Sequence, residues 1–159
     1  MSRSNPGKNI ESQMQRMASE LIGRSVPPLP LHPGTRTPTV GTDLIQVARV
    51  ERAIVRWGNN FLDHCFTDRE IDYCKSKRRP DVHFAGRLAA KEAVYKALRP
   101  APPQPFYWPF LEILRGRDGE PEVSLNVKLA EAYVGTRPEI RVSIAHVNEF
   151  AIAVAIARQ

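Results

Sequence analysis

The amino-acid sequence predicts a single α+β domain with mainly antiparallel strands. Segments in which apolar and polar residues alternate, as is typical of strands, occur at the start of the central part of the chain and again near its end. Helical patterns separate them, and the final strands are close enough along the chain to pair as hairpins. With 159 residues, 42% of them hydrophobic and 25% charged, the chain has the composition of an ordinary soluble domain.

Two proline clusters divide the chain. Ten of the 14 prolines lie within residues 27–38 and 100–109. Because proline fixes φ and lacks an N–H donor, both stretches are expected to be non-helical connections. We expect residues 1–38 to be an accessory arm with a proline-rich linker, including a helix over residues 10–21, and residues 39–159 to be the functional domain.

The domain is expected to begin with a strand over residues 39–45. A helix should follow over residues 46–57, stopped by Gly58. The sequence 67–70, Thr-Asp-Arg-Glu, spells a capping box and predicts the start of another short helix. A long helix is then expected over residues 81–99, ended by a proline.

In the last part of the chain, apolar and polar residues alternate as they do in strands. Strands are expected over residues 110–115 and 122–127, joined by an Asp-Gly turn, with a short helix over 128–134. A second hairpin is expected from residues 140–146 and 150–157. The longest apolar run, residues 150–157, is far shorter than the roughly 20 residues that a membrane-spanning helix needs.

One face of the long helix is made of small residues that recur at helical spacing. They are Gly86, Ala89, Ala90, Ala93 and Ala97. Such a face predicts that another element approaches this helix closely.

The net charge of +6 and the pI near 9.7 favour an anionic partner. Arg49, Arg52 and Arg56 fall on the predicted solvent side of the helix over 46–57 and form a basic ridge. A basic run over residues 75–79 precedes the long helix, which carries Arg87, Lys91 and Lys96. By default such a run is a solvated surface, but a ligand with several phosphates would need several such donors together.

Three further side chains have both a functional and an ordinary interpretation. Asp43 and Glu92 come from separate elements and could share Mg²⁺, yet Asp43 could also cap a helix, and Glu92 could pair with Lys96 at i,i+4 spacing. His146 ends a strand, where it could contact a ligand or be a satisfied, partly buried side chain.

The two cysteines, Cys65 and Cys74, are too few for a disulfide framework. We expect reduced thiols in the core and therefore a reducing compartment, the cytoplasm or alternatively the mitochondrial matrix.

Four stretches together resemble a known family. They read Gly-Thr-Asp-Leu over 41–44, Phe-Thr-Asp-Arg-Glu over 66–70, FAGRLAAKEAVYKA over 84–97 and Val-Ser-Ile-Ala-His over 142–146. In order and spacing they are similar to the holo-acyl-carrier-protein synthases, which are small 4'-phosphopantetheinyl transferases. The resemblance covers about three quarters of the chain and implies the 4'-phosphopantetheinyl transferase fold, a mainly antiparallel sheet wrapped around a long central helix.

The resemblance also implies an activity. It is the transfer of 4'-phosphopantetheine from coenzyme A to a serine of apo-acyl carrier protein, with adenosine 3',5'-bisphosphate as the second product. By analogy, Asp43 and Glu92 hold Mg²⁺ against the coenzyme A diphosphate, and Lys96 completes the catalytic set. Glu92, directly or through water, is a candidate for accepting the serine proton.

The binding residues that the resemblance implies fall into two groups. Those expected to contact the phosphate-bearing parts of coenzyme A are Arg78, Arg79, Arg87, Lys96 and His146. Arg49 is expected to meet the acidic helix of acyl carrier protein, with Arg52 and Arg56 extending the same face. The resemblance further implies a homotrimer with a site at each subunit junction, and neither a nucleic acid nor a membrane as partner.

The chain departs from the family pattern at several positions, among them Thr42, Glu120, Ala145 and the proline-rich residues 99–109. Two alternatives therefore stay open. One is a homologue that binds coenzyme A or carrier protein with little turnover. The other is a basic module that binds nucleic acid, although the chain lacks the interleaved aromatic residues of single-strand binders.

Overall fold

The structure is a computed structural model that describes residues 38–98, 106–131 and 138–158. The predicted arm helix over residues 10–21, and residues 99–105 of the second proline cluster, lie outside the described residues. The helices are α1 (Val47–Trp57), α2 (Asn59–Cys65), α3 (Asp68–Lys75), α4 (Pro80–Leu98) and α5 (Val127–Glu131). The strands are β1 (Thr39–Gln46), β2 (Leu111–Arg115), β3 (Pro121–Leu125), β4 (Glu139–His146) and β5 (Phe150–Arg158).

The strands form two antiparallel sheets, one of three strands in the order β1-β5-β4 and one made of the β2–β3 hairpin. In β5, alternate residues are small and buried, and this inner face packs on α4. The buried residues are Ala151, Ala153, Ala155 and Ala157. Both predicted hairpins, the α+β class and the long central helix are thereby confirmed.

The strand β1 lies directly against α4 at Gly41. A Cβ atom at this position would stand 2.0 Å from the carbonyl oxygen of Ala93 and 2.6 Å from the nitrogen of Ala97. The close approach predicted from the small-residue face is therefore confirmed. Because alternate strand residues share a face, Asp43 is also directed toward this helix.

The opposite side of α4 is held by a buried ion pair. Lys91 and Glu70 are both fully buried, with 2.7 Å between Nζ and Oε2. Lys91 also donates to the carbonyl oxygens of Cys65 and Trp108, at 2.8 and 3.3 Å, and Glu70 accepts from the backbone N–H of Ile113 at 2.9 Å. The grouping of Lys91 with phosphate donors is therefore wrong, because all of its capacity is used inside the fold.

The capping box predicted at Thr67 is confirmed. The Thr67 hydroxyl accepts from the backbone N–H of Glu70, and the Glu70 carboxylate accepts from the Thr67 N–H at 2.9 Å. The same Glu70 therefore starts α3 and binds Lys91.

Three local assignments from the sequence differ from the structure. Helix α2 was not predicted: Gly58 does end α1, with φ of +55°, but a second helix begins at the next residue and buries Phe61 and Leu62. Phe110 lies in a 3-10 turn and Val127 begins α5, so neither belongs to a strand.

Both cysteines are free and buried, as predicted. Burial raises the pKa of Cys65 and of Cys74 to about 12, so neither thiol ionises near neutral pH. Within the described ranges, no helix is long and apolar enough to cross a membrane.

Candidate active site

The first part of the site lies where β1 crosses α4. Lys96 Nζ donates to Asp43 Oδ1 at 2.8 Å and to the carbonyl oxygen of Thr42 at 3.1 Å. The cation on α4 therefore binds the strand carboxylate, and the ordinary i,i+4 pair with Glu92 does not form. The helix-cap interpretation of Asp43 is also wrong, because the N-cap of α1 is Gln46.

Two carboxylate oxygens in this region are buried without a partner among the described residues. They are Asp43 Oδ2 and Glu92 Oε1. Leaving a buried acceptor unpaired typically costs about 1–3 kcal/mol, so most proteins satisfy such atoms. A cation bound by both carboxylates would satisfy these two atoms.

The protonation of the pair follows from its burial. Glu92 is only 2% exposed, and burial raises its pKa to about 9, with a further rise from the charge of Asp43 and an opposing effect of Lys96. Burial also raises the pKa of Asp43, against the hydrogen bond and charge of Lys96. At neutral pH, Glu92 therefore holds a proton that a bound cation would displace.

The two carboxylates fit Mg²⁺ better than a metal that needs a complete protein cage. Within the part of the chain that the structure describes, no group of three or more His, Cys, Asp or Glu side chains could hold a metal. Mg²⁺ prefers oxygen ligands, keeps several waters and is often held by one or two carboxylates together with phosphate oxygens of a substrate. Asp43 and Glu92 provide such a half-site.

The second part of the site is a cavity of about 170 Å³ between α4, the end of β4 and the β2–β3 hairpin. Arg87 lines it, is 7% exposed, and stacks over the ring of Tyr73 at 3.7 Å. Its Nε is buried and has no partner among the described residues. A buried guanidinium with an unused donor favours an anion in the cavity.

The predicted phosphate-binding residues fall in three places. Arg87 and His146 line the cavity, and Lys96 lies beside Asp43. Arg78 and Arg79 precede α4 and are exposed outside the cavity lining. Arg79 pairs with Asp81 at 2.7 Å, so a ligand phosphate would compete with that carboxylate.

The two parts of the site share α4. Arg87 and Glu92 are five residues apart, which corresponds to about 7.5 Å along a helix axis. At about 100° per residue, the two side chains also point about 140° apart around the helix, so the cavity and the carboxylate pair lie on different sides of α4.

Among the cavity-lining residues that the sequence analysis missed are His83 and Tyr73. His83 lies in the first turn of α4, with its ring centroid 5.4 Å from that of His146 and 6.0 Å from that of Tyr73. The available signal was the helical spacing, since His83 is one turn before Arg87 and therefore shares its side of α4.

The basic ridge lies on α1, directly after the strand that carries Asp43. Arg52 and Arg56 are exposed, and Arg49 is partly buried. Arg56 stacks over the ring of Trp57 at 4.9 Å. The structure thus places the exposed arginines on the solvent side that the helical spacing predicts.

We predict that the metal-free protein loses stability as the pH rises from 6 to 9. The pKa of Glu92 goes from an ordinary value of 4.5 to about 9 on folding, so between these values the folded state binds one more proton than the unfolded state. The free energy of unfolding then falls with rising pH. Urea unfolding in EDTA at several pH values measures this dependence.

The matched variant is Glu92→Gln, which keeps the shape of the side chain but does not titrate. Its stability should decline less over the same pH range. Equal declines in the variant and the wild type would show that Glu92 is not the group responsible.

Comparison with known proteins assigns the fold to a family. The model of the 4'-phosphopantetheinyl transferase superfamily matches residues 39–155. The holo-acyl-carrier-protein synthase of Protochlamydia amoebophila is 38% identical over 117 residues, which are 74% of this chain and 94% of that protein. That of Dehalococcoides mccartyi is 41% identical over 119 residues, with 74% and 96% covered.

Solved structures give the same result. The complex of the Chronobacterium ammoniagenes synthase with coenzyme A aligns with a TM-score of 0.66 and 27% identity, over 77% of this chain and 97% of that chain. The Helicobacter pylori synthase in complex with coenzyme A aligns with a TM-score of 0.64 and 28% identity, over 74% and 98%. The chain therefore belongs to the 4'-phosphopantetheinyl transferase superfamily and is an enzyme of the holo-acyl-carrier-protein synthase type.

Proposed function

We propose that this enzyme carries out the Mg²⁺-dependent transfer of 4'-phosphopantetheine from coenzyme A to a serine of apo-acyl carrier protein. The products would be holo-acyl carrier protein and adenosine 3',5'-bisphosphate. The observation that carries the proposal is the pair of unpartnered buried carboxylate oxygens, on Asp43 and Glu92, together with a cavity that the buried Arg87 lines with an unpartnered Nε. The C. ammoniagenes and H. pylori synthases have both been solved in complex with coenzyme A.

In this proposal Asp43 and Glu92 hold the metal. When bound, Mg²⁺ would supply charge neutralisation and orientation for the diphosphate of coenzyme A. Lys96 occupies one oxygen of Asp43 and leaves the other without a partner, so it orients the carboxylate for this role. Lys96 is also one-third exposed, and its remaining donor capacity suits a phosphate oxygen.

The transfer itself requires one proton acceptor. The serine oxygen forms a bond to the phosphorus that bears pantetheine, and the bond from this phosphorus to the bridging oxygen breaks, so that adenosine 3',5'-bisphosphate leaves with the electron pair. Glu92 is our candidate for taking the serine proton, directly or through a water. Its burial supports this role, because a buried carboxylate has a higher proton affinity than an exposed one.

The proposed coenzyme A contacts use the basic residues around the two parts of the site. Arg87 and His146 would bind phosphate in the cavity, where the unpartnered Nε of Arg87 supports the assignment. Arg78 and Arg79 would add charge at the start of α4, Arg79 by exchanging Asp81 for a phosphate.

The basic ridge of Arg49, Arg52 and Arg56 is our proposed docking surface for acyl carrier protein. Its chemistry suits an acidic helix, since arginine binds carboxylates with two parallel hydrogen bonds. The ridge follows β1 without an intervening loop, so a carrier bound there would lie near the strand that carries Asp43.

We also propose a homotrimer. The outer face of the three-stranded sheet carries large apolar side chains that are 40–62% exposed: Val40, Leu44, Phe150, Ile152, Val154 and Ile156. A contiguous exposed patch of this kind favours an interface over solvent. Further copies of this chain would cover it, and a site at each subunit junction would follow.

The compartment stays an expectation. The free, buried thiols of Cys65 and Cys74 support a reducing environment, for which we propose the cytoplasm or alternatively the mitochondrial matrix.

The activity is tested by incubating the full chain with coenzyme A, MgCl₂ and apo-acyl carrier protein. Mass spectrometry should show a carrier heavier by one phosphopantetheine, and EDTA should abolish the gain. Glu92→Gln should lower kcat/KM by about 100-fold or more, because it removes a metal ligand and a proton acceptor. No mass gain with several carriers, despite coenzyme A binding, would indicate a homologue without turnover.

Two variants serve as controls in the same assay. Asp63→Asn, at an exposed carboxyl on α2, should leave kcat/KM within about twofold of the wild type. Arg52→Glu should raise KM for the carrier and leave KM for coenzyme A unchanged. A fully active Glu92→Gln variant would refute the proposed metal pair.

The trimer is tested by light scattering coupled to size exclusion. The wild type should have about three times the 17.9 kDa mass of one chain. Ile152→Lys places a charge in the apolar face and should lower the mass, whereas Val55→Lys, at a residue that is 82% exposed on α1, should not. A monomeric wild type would contradict the proposal.

A further inference from the structure

The cavity contains a pair of imidazoles in mutual contact. His83 and His146 lie edge to face, with their ring centroids 5.4 Å apart and an angle of 74° between their planes. They come from different elements, since His83 lies in the first turn of α4 and His146 ends β4. Arg87 lines the same cavity with its unpartnered Nε, so three nitrogen donors of the chain surround one small space.

Most charges that face His83 are positive. From the elements packed around it, the titratable and charged groups are Tyr73, Lys77, Asp81, Arg87 and His146. The hairpin adds Arg115 and Glu120 to the cavity wall. Both carboxylates already have donors: Asp81 is paired with Arg79 at 2.7 Å, and Glu120 accepts from the backbone N–H of Asp118 at 3.0 Å.

These surroundings keep His83 neutral in the absence of a ligand. Burial lowers its pKa, and the charges of His146, Arg87 and Lys77 lower it further, against a smaller opposing effect of Asp81. A neutral imidazole beside an arginine, with a second imidazole in contact, is a group that an incoming anion would protonate.

We propose that His83, in contact with His146, is a phosphate-binding residue of this cavity and that it is protonated when coenzyme A binds. This inference rests on the proposed function for the identity of the ligand. Arg87 provides the permanent charge, and the His83 imidazole provides a charge that arises only when phosphate is present.

The direction of the pH dependence follows from linkage. If the complex binds more protons than the free protein, the affinity for coenzyme A falls as the pH rises. The effect should be observable between pH 7 and 8.5, where a phosphate monoester is already doubly charged and contributes little proton exchange of its own.

The test is isothermal titration calorimetry of the full chain with coenzyme A at pH 7.2 in two buffers of different ionisation enthalpy. EDTA is present, so that metal binding at Glu92 releases no proton. The wild type should take up as much as about one proton per chain. His83→Phe keeps the ring contacts with Tyr73 and His146 but cannot be protonated. Its proton uptake should be at least halved.

The affinity of the variant gives a second readout. Kd for coenzyme A should rise about threefold to tenfold at pH 7 in His83→Phe and change little at pH 8.5, since fewer imidazoles are then protonated. His64→Phe, on α2 and outside the cavity lining, is the matched control and should keep the proton uptake of the wild type. Adenosine 3',5'-bisphosphate should reproduce the uptake, because it carries phosphates without pantetheine.

The outcomes separate this inference from the proposed function. Coenzyme A binding with equal proton uptake in the wild type and His83→Phe, or with none in the wild type, would overturn the role of His83 and leave the transferase activity intact. A wild type that does not bind coenzyme A would overturn both.

Discussion

The contact on which the site depends is the approach of β1 to α4 at Gly41. Any larger residue would push a carbon atom to within 2.0 Å of the Ala93 carbonyl oxygen. The strand can therefore lie on the helix only where both surfaces are small. This closeness buries Glu92 and part of Asp43, and it brings together two carboxylates that are far apart along the chain. Their raised pKa values are a consequence of this packing.

Adjacent residues on α4 show two different uses of buried charge. Lys91 is paired with Glu70 and bonded to two carbonyl oxygens, so it stabilises the fold, and breaking such a pair typically costs about 3–5 kcal/mol. Glu92, the next residue, retains an oxygen without a partner. The same helix therefore satisfies the buried charge of Lys91 completely and leaves the neighbouring Glu92 unsatisfied. The unsatisfied carboxylate oxygen lowers stability, as expected for the metal ligand that we propose.

Local patterns were predictable from the sequence because their causes are local. The capping box at Thr67 depends on residues three apart, and both hairpins depend on alternation and short turns. The small face of α4 also predicted a close neighbour. The resemblance to a family supplied the fold and the candidate residues that periodicity alone left open.

Features that depend on distant partners were not predictable. The burial of Lys91 requires Glu70, which lies 21 positions away on α3, and the sequence pattern on α4 does not reveal it. The choice of Lys96 between Asp43 and Glu92 is likewise decided by where β1 crosses the helix. The contact of His83 with His146 is likewise decided by where β4 ends against α4.

We infer that Asp43 and Glu92 form a metal site in which Glu92 is protonated until the metal binds. Calorimetric titration of the full chain with MgCl₂ at pH 7.5, in two buffers of different ionisation enthalpy, tests it most directly. We expect one binding event with the release of about one proton per chain, and no such event in Glu92→Gln. Binding without proton release, or unchanged binding in Glu92→Gln, would contradict it.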